Sequence, residues 1–310
     1  MKHFVSVVLF LSASGAAFAD EAPARLACKD FHAEMTSKLA ASPVSLQVNA
    51  LLIEAARKGC ADDIDALLAA GASRLARDRE GHNALAAAAR MGRLPIIEQL
   101  LKSANAAEAG EIEQADVNGS TPLLVASLAN HTPAARRLIE AGANVNAVNT
   151  QGETALIGAA YTRNAELADS LLARGAKPDV IDHTGKGPMI YAAAQGSDHI
   201  VGALLGAGID ANALYRGNLT ALMWAAGHAD TAPASSALAT VKLLIAHGAK
   251  VDLVDDRGRS ALMIAAGLGH LWVVRALLDA GADPALRDKR GQSAVELTVS
   301  DDVKALLAAR

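Results

Sequence analysis

The sequence predicts an all-α solenoid of short antiparallel helix pairs that are joined by turn fingers. The first observation is a recurring phrase, such as ETALIGA from Glu153 and LTALMWA from Leu219. The second is its spacing, because successive copies are separated by 38, 33, 33, 33, 40 and 33 residues. The residues that anchor these copies are Asn83, Thr121, Thr154, Gly187, Thr220, Ser260 and Ser293. A unit of this length buries its apolar face only by stacking on its neighbours.

Residues 1–19 have the composition of a cleavable export signal. A basic start at Lys2 precedes an apolar run over residues 4–11, and small residues end in Ala17-Phe18-Ala19. This order, with an A-x-A cleavage site, is typical of secretory signals. The run is shorter than the roughly 20 residues that a membrane helix needs. We therefore predict an exported protein without membrane insertion, periplasmic or fully secreted.

Residues 20–45 form a predicted helical leader before the repeats begin. The leader should end at Ser42-Pro43, because a residue before proline disfavours helical geometry. Export makes Cys28 and Cys60 candidates for a disulfide that fixes the leader on the first unit. Closing this loop would contribute on the order of 3 kcal/mol. The alternatives are free thiols and a flexible leader.

Capping residues and glycines mark the helix ends inside each unit. Thr154 is placed to cap a first helix, whose buried stripe includes Leu156, and Asn164 is placed to cap the second. Gly175 follows the second helix, where a left-handed residue is expected. The glycines at the equivalent position are Gly71, Gly142, Gly208, Gly248 and Gly281.

Together these features resemble the ankyrin repeat, whose signature is T-P-L-H-x-A at a period of 33 residues. The resemblance covers residues 46–310. It implies six full repeats that open at the first six anchors, flanked by capping units over residues 46–82 and from Ser293. The signature histidine is replaced throughout by apolar residues such as Ile157 and Met223, so we expect apolar packing in place of its hydrogen bonds.

Two insertions interrupt the period, at residues 103–115 and at residues 229–236 (ADTAPASS). We expect both to project from the stack as loops. Surface insertions are thermodynamically tolerated, so they are either neutral drift or extensions of a binding surface.

Composition and motifs argue against catalysis. The chain is 52% hydrophobic but 3% aromatic, with a net charge of −4, which favours neither nucleic-acid binding nor a deep cofactor pocket. The HTGKG stretch from His183 lacks the spacing of a phosphate-binding loop. The histidines have no metal-ligand spacing, and no nucleophile motif is present. We therefore predict a non-enzymatic protein with no cofactor and no metal.

The remaining candidate for function is the concave face of the stack, which the turn tips and the exposed parts of the first helices would line. The tips towards the C-terminus are basic on an acidic chain, which suggests a partner with an acidic patch, although charges also solvate surfaces. Aromatic residues are the better anchors. The predicted partner-binding residues are Tyr161, Lys186, Tyr215, Arg216, His228, Arg257, Arg259 and Arg290. Trp224 is predicted to lie in the core, and Trp272 on the outer side of a second helix.

We therefore expect a monomeric protein-interaction module of the cell envelope. Similarity to exported bacterial ankyrin proteins implies two specific roles. One is support of an envelope stress-defence enzyme, and the other is immunity against a toxin that acts in the periplasm. Two alternatives remain open: a ligand-binding or enzymatic protein that uses the loop at residues 229–236, and a scaffold with several weak partners.

Overall fold

The computed structural model describes residues 21–41, 44–102, 110–228 and 234–309. The predicted export signal, the predicted leader end at Ser42-Pro43, and the first parts of both insertions lie outside the described residues. Within these ranges the secondary structure is helical, apart from turns and one isolated bridge between Tyr215 and Leu219. The predicted all-α class is therefore confirmed. Among the described helices, none combines the length and the apolar character needed to span a bilayer.

In the part of the chain that the structure describes, a leader helix, α1 (Glu21–Ala40), precedes eight helix pairs. The first helices of the pairs are α2 (Ser45–Lys58), α4 (Ala84–Arg90), α6 (Pro122–Leu128), α8 (Ala155–Tyr161), α10 (Pro188–Ala194), α12 (Ala221–Gly227), α14 (Ala261–Leu268) and α16 (Ala294–Leu297). The second helices are α3 (Ala61–Ala69), α5 (Leu94–Lys102), α7 (Thr132–Glu140), α9 (Ala165–Ala173), α11 (Asp198–Gly206), α13 (Ala234–Ala246), α15 (Leu271–Asp279) and α17 (Asp301–Ala308). First helices pack on first helices and second on second along the stack, so one apolar core runs through it.

The first helices begin where polar caps were predicted. The hydroxyl oxygen of Thr154 accepts a hydrogen bond from the amide of Ile157 at 3.3 Å. Asn83, Thr121, Thr220 and Ser260 make the same bond at their own helix starts. Gly187 has no side chain that could cap its helix. Pro188 follows it and has no amide hydrogen, so the helix start has one donor fewer to satisfy. A cap of this kind contributes about 1 kcal/mol to each short helix.

Six of the described second helices are followed by the predicted left-handed glycines. Gly175 has a φ of 80°. The amide of Ala176 then reaches back to the carbonyl oxygen of Leu171 at 3.0 Å, and that of Gly175 to Leu172 at 3.0 Å. This arrangement is the Schellman motif, which satisfies the last carbonyl groups of the helix. The chain leaves each pair in the direction of the next one.

The turn that connects each pair to the next forms a finger with a fixed internal structure. In one finger, an Asp182 oxygen accepts hydrogen bonds from the amides of Thr184 at 2.8 Å and Lys186 at 3.0 Å. Asp78, Asp116, Asn149, Asp255 and Asp288 do the same in other fingers. Among the described residues, five of the six neighbouring pairs of fingers are also joined by a backbone bond, as in the 2.9 Å contact from the His183 amide to the Gln151 carbonyl; the fingers of Asp182 and Tyr215 are the exception. The fingers therefore stack as a ladder and hold their side chains in register.

The leader helix is fastened to the first pair in three ways. Cys28 and Cys60 form a disulfide that closes a loop with a sequence separation of 32. Phe31 is 1% exposed and lies in the core. His32 contacts the buried carboxylate of Asp63 at 2.5 Å. In the structure α1 is thus part of the stack, in contrast to the alternative of a flexible leader.

Both insertions differ from the expected projecting loops where the structure describes them. Residues 110–115 pack back on the stack, and Glu111 is 3% exposed. Its carboxylate lies 3.3 Å from the buried guanidinium of Arg74, and its carbonyl oxygen accepts from the Asn83 side chain at 3.0 Å. In the second insertion, residues 234–236 belong to α13. The loop expectation is wrong for these residues, and residues 103–109 and 229–233 lie outside the described part.

Candidate functional site

The fingers and the outward sides of the first helices form one continuous surface, which we call the finger face. Four consecutive fingers present an aliphatic residue directly before the turn. These residues are Val148, Ile181, Leu214 and Val254, each at least 43% exposed. A row of exposed aliphatic side chains costs solvation free energy in the free protein. Such a row indicates a surface whose burial by a partner would be favourable.

An aromatic cluster lies beside this row and spans three repeats. The rings of Tyr161 and Tyr191 meet edge to face, with centroids 5.9 Å apart and an interplanar angle of 86°. Trp224 stacks on His228, with centroids 4.7 Å apart and an angle of 25°. The Lys186 ammonium joins the two pairs, since it lies 5.6 Å from the Tyr191 centroid and 5.1 Å from the Trp224 centroid. We refer to these four rings as the aromatic cluster.

Register explains why these side chains meet. Tyr191 and Trp224 are each the fourth residue after the anchor of their repeat, so equivalent points of α10 and α12 carry them. Gly158 and Ile264 hold this position in the adjoining repeats. Because neighbouring repeats stack in the same orientation, the fourth residues line up along the finger face. The alignment of repeats, rather than the local sequence, is the signal that locates this position.

One assignment from the sequence changes as a result, and one residue of the site was not predicted. Trp224, which was predicted to be core, is half-buried and contacts Lys186 and His228 on the finger face. Its neighbours in the run LTALMWAA are buried, and this apolar context concealed the exposed position. Tyr191 was missed altogether. Trp272 lies on a second helix as predicted, is 60% exposed, and has the Arg275 guanidinium 5.7 Å from its ring.

Tyr191 is fixed by a hydrogen bond to the finger of its own repeat. Its hydroxyl donates to the Asp182 carboxylate at 2.5 Å, and the Thr184 hydroxyl donates to the same carboxylate at 2.7 Å. Burial, and then the Asp182 carboxylate, raise the pKa of Tyr191 well above its usual value. The phenol therefore stays protonated and acts as a rigid donor within the site.

His228 is a neutral member of the cluster at neutral pH. Burial lowers its pKa most, the Trp224 carbonyl partly opposes this, and the nearby Lys186 ammonium and the His270 side chain lower the pKa further. Its Nδ1 lies 3.2 Å from that carbonyl oxygen, to which it donates. The positive charge of the cluster therefore resides on Lys186 alone.

Several predicted cations of the finger face have no carboxylate partner. Within the part of the chain that the structure describes, Lys186 makes no ion pair, and its ammonium contacts the two rings instead. Arg216, Arg257 and Arg290 are exposed and likewise unpaired among the described residues. Arg259 differs from the expectation of a free contact residue, because it binds Asp255 through two nitrogens at 3.0 and 2.8 Å. Burial by itself would raise the pKa of Asp255, but the Arg259 side chain and the amides of Arg259 and Arg257 together outweigh it and lower the pKa.

Tyr215 supports its finger instead of projecting from it. It holds the place that aspartate or asparagine holds in other fingers, and its amide donates to the Leu219 carbonyl at 2.9 Å. The ring is half-buried beside Gly187. Burial, followed by the charge of Asp210, raises the pKa of Tyr215 to about 12. Of the predicted aromatic anchors, Tyr161 and His228 are thus better placed for contact than Tyr215.

One group of possible metal ligands occurs among the described residues, in the first finger. Ligand atoms of Asp78, Glu80 and His82 lie within 4.8 Å of one another. Asp78 is paired with Arg57 at 2.7 Å, and the Arg90 guanidinium lies 3.9 Å from Glu80. These arginines supply the countercharge that the acidic group needs, so the arrangement is accounted for as a surface ion-pair network.

A comparison with protein families identifies the same kind of repeat in this chain. A family model described as ankyrin repeats in three copies matches residues 105–182, 156–234 and 189–288. These overlapping matches together span residues 105–288, which is more than half of the 310 residues.

Individual relatives match over short stretches. An ankyrin repeat-containing protein of Treponema pallidum is 58% identical over 57 residues, which cover 18% of this chain and 19% of that protein. Ankyrin repeat domain-containing protein 63 of Mus musculus is 43% identical over 76 residues, or 24% of this chain and 19% of the relative. The chain thus spans about a fifth of the length of these relatives.

Solved structures match over most of the chain. The ankyrin repeat domain of human ASB11 is similar with a TM-score of 0.63 and 27% identity, over 73% of this chain and 97% of that domain. The ankyrin repeat domain of Bcl-3 is similar with a TM-score of 0.60 and 27% identity, over 74% of this chain and all of that domain.

Proposed function

Because this chain belongs to the ankyrin-repeat family, we propose that it is an exported, non-catalytic module that binds one protein partner through its finger face. Ankyrin repeats suggest protein–protein interaction in general. The proposal adds which surface of this chain binds the partner and in which compartment the protein works.

The aromatic cluster carries the proposal about the surface. Tyr161 is 53% exposed, and Trp224 and His228 are half-buried, so partner atoms can reach all three rings. Large aromatic side chains dominate the binding energy of protein interfaces. Leu214 and Val254 of the aliphatic row lie on the same fingers as the unpaired Arg216 and Arg257, which supplies both apolar and charged contacts. This combination supports a single extended contact surface.

Two features support export. The first 19 residues have the pattern of a cleavable signal. The second feature is the disulfide between Cys28 and Cys60, because such bonds persist in oxidising compartments and are rare in the cytosol. A periplasmic location follows as part of the proposal, with full secretion as its alternative.

The role we favour is support of an envelope enzyme that defends against stress. It follows from the resemblance to exported bacterial ankyrin proteins. Immunity against a periplasmic toxin is the alternative role. Isolation of a tight stoichiometric complex with a cognate toxin would contradict the first role and support the second.

The experiment compares cross-linking of three forms of the tagged mature protein in the native envelope fraction. They are the wild type, a finger-face variant with Tyr161→Ala and Leu214→Ala, and a Trp272→Ala control that removes an equally exposed aromatic from the second helices. We expect one protein to be lost only from the finger-face variant. Equal recovery in all three forms would show that this face is not the interface.

A further inference from the structure

We infer that the aromatic cluster and Lys186 form a receptor for a carboxylate carried by an acidic, extended segment of the protein partner. The inference rests on the proposed function and adds the chemistry of the partner. It commits to a flexible acidic peptide segment that also carries an apolar residue.

Lys186 has an unusual environment for a lysine at the surface. Its side chain is half-buried, and its ammonium is held above two rings that come from different repeats. Contacts with two ring faces restrict a side chain that otherwise has many rotamers. The ammonium is thereby positioned before any partner arrives, which reduces the entropy cost of binding.

The nearest carboxylate on the same finger is already engaged elsewhere. One oxygen of Asp182 accepts from Tyr191 and the other from Thr184 and the Lys186 amide. The Lys186 ammonium makes no ion pair in the described ranges of the chain. A cation beside apolar rings is partly shielded from water, where charge-assisted hydrogen bonds are stronger. A carboxylate from outside the chain is the complementary group.

The fingers that follow Lys186 also carry positive charges, which favour an acidic segment. Arg216, Arg257 and Arg290 come from three consecutive fingers beyond Lys186, and all three are exposed and unpaired among the described residues. Backbone bonds from the Asp256 amide to the Gly217 carbonyl, at 3.0 Å, and from the Lys289 amide to the Arg257 carbonyl, at 2.9 Å, hold the fingers of these three arginines together. The cations therefore form a track, and repeated positive charges favour a segment with several acidic residues.

At the other end of the finger face, the acids and their neighbouring cations largely offset one another. Asp78, Glu80 and Asp116 gather around His82, with contacts of 3.6, 3.5 and 3.4 Å, while Arg57 is paired with Asp78 at 2.7 Å and Arg90 lies 3.9 Å from Glu80. Paired cations offer an acidic peptide less than the unpaired cations of the later fingers. The apolar part of the peptide is expected to lie on the aliphatic row, where Ile181 and Leu214 flank the Lys186 finger. The segment is therefore expected on the C-terminal half of the face, where Lys186 and the three arginines have no acid of their own among the described residues.

The test uses a library of random 12-residue peptides displayed on phage, selected on the mature protein. The baits are the wild type, Lys186→Met, and Lys242→Met, which removes an exposed and unpaired lysine from a second helix. A second matched pair reverses Arg216, Arg257 and Arg290 to glutamate, or Lys177, Lys242 and Lys250 to glutamate. We expect peptides rich in Asp and Glu from the wild type and both lysine controls, and a loss of this enrichment from the Lys186 and arginine variants.

A synthetic peptide with a selected sequence then tests the contact between its acid and Lys186. We expect replacement of its key acid by the amide to weaken binding to the wild type about tenfold or more, and binding to Lys186→Met far less. Circular dichroism melting shows whether each variant is folded. Three results would overturn the inference: no enriched peptides, enrichment without acids, or equally acidic peptides from Lys186→Met. If the envelope experiment still recovers a partner through Tyr161, the proposed function survives that failure.

Discussion

Lys186 and Trp224 belong to neighbouring repeats, yet the ammonium nitrogen lies 5.1 Å from the centre of the indole ring. The contact joins one finger to the first helix of the next repeat. It therefore exists only in the stacked form of the protein. The same indole stacks on His228, so Trp224 contacts both the Lys186 ammonium and the titratable imidazole.

The protonation of His228 should be visible in the fluorescence of Trp224. The chain has two tryptophans, so Trp272→Phe leaves Trp224 as the single emitter. A protonated imidazole quenches a stacked indole, and burial lowers the pKa of His228, so quenching should begin below the ordinary value near pH 6.5. A pH titration of the emission measures this, and His228→Gln should remove the step. A midpoint above 6.5 would contradict the environment described.

The same titration has a defined sign for stability. The unfolded chain takes up a proton near pH 6.5, before the folded chain does, because the folded pKa is lower. The contribution of neutral His228 is therefore present above about pH 6.5 and is lost as the pH falls through the folded pKa. Urea unfolding at pH 7.5 and 5.5 should show a smaller difference for His228→Gln than for the wild type.

Removal of the disulfide should loosen the leader helix. For a sequence separation of 32, loop closure contributes about 3 to 4 kcal/mol to stability. We expect Cys28→Ser with Cys60→Ser to lower the free energy of unfolding by about that amount. Urea unfolding measures the loss, and limited proteolysis should cut within α1 first. Protection of α1 equal to that in the oxidised wild type would show that Phe31 and His32 suffice to hold it.

The buried pair of Arg74 and Glu111 should be sensitive to removal of one partner. Both side chains are nearly fully buried, and Arg74 also donates to the Leu100 carbonyl at 2.7 Å. Arg74→Met leaves a buried carboxylate without its cation and should cost about 3 to 5 kcal/mol of unfolding free energy. Arg74→Met with Glu111→Leu should recover part of that loss. Additive losses in the double variant would show that the two side chains do not depend on each other.

Two glycines with similar backbone angles should respond differently to alanine. Gly175 and Gly185 have φ values of 80° and 84°. A Cβ on Gly175 meets nothing within 4 Å, whereas one on Gly185 lies 2.5 Å from the Cβ of Arg216 on the next finger. We expect Gly175→Ala to cost about 1 kcal/mol from the left-handed geometry alone, and Gly185→Ala to cost more. Equal melting temperatures for the two variants would contradict the close approach of the fingers.

The repeat period determines most of what the sequence could predict. Polar caps at Thr154 and its equivalents, and glycines such as Gly175, recur at fixed intervals because each unit solves the same packing problem. Helix pairs and their order follow from that recurrence. The packing of residues 110–115 was not predictable in this way, because Arg74 and Glu111 make a contact that occurs once and has no repeated signal.

The candidate site was predicted only in part for a related reason. Tyr161, Lys186 and His228 follow from their places at the tips and the helix end. Trp224 lies in an apolar run that resembles a buried helix, and only the comparison of fourth positions across repeats shows that it faces outward. The pairing of Arg259 with Asp255 depends on side-chain geometry within one finger, which the charge pattern of the tips does not reveal.

Because the fingers bond to one another through the backbone, gain or loss of a whole repeat during evolution would leave the ladder intact. The aromatic cluster has no such tolerance, since its rings must come from three adjacent units. A repeat duplicated between Tyr161 and Trp224 would separate rings that now touch, whereas one duplicated after Ser260 would lengthen the cationic track alone. The stack can therefore diverge in length by recombination only outside the segment that holds its recognition cluster.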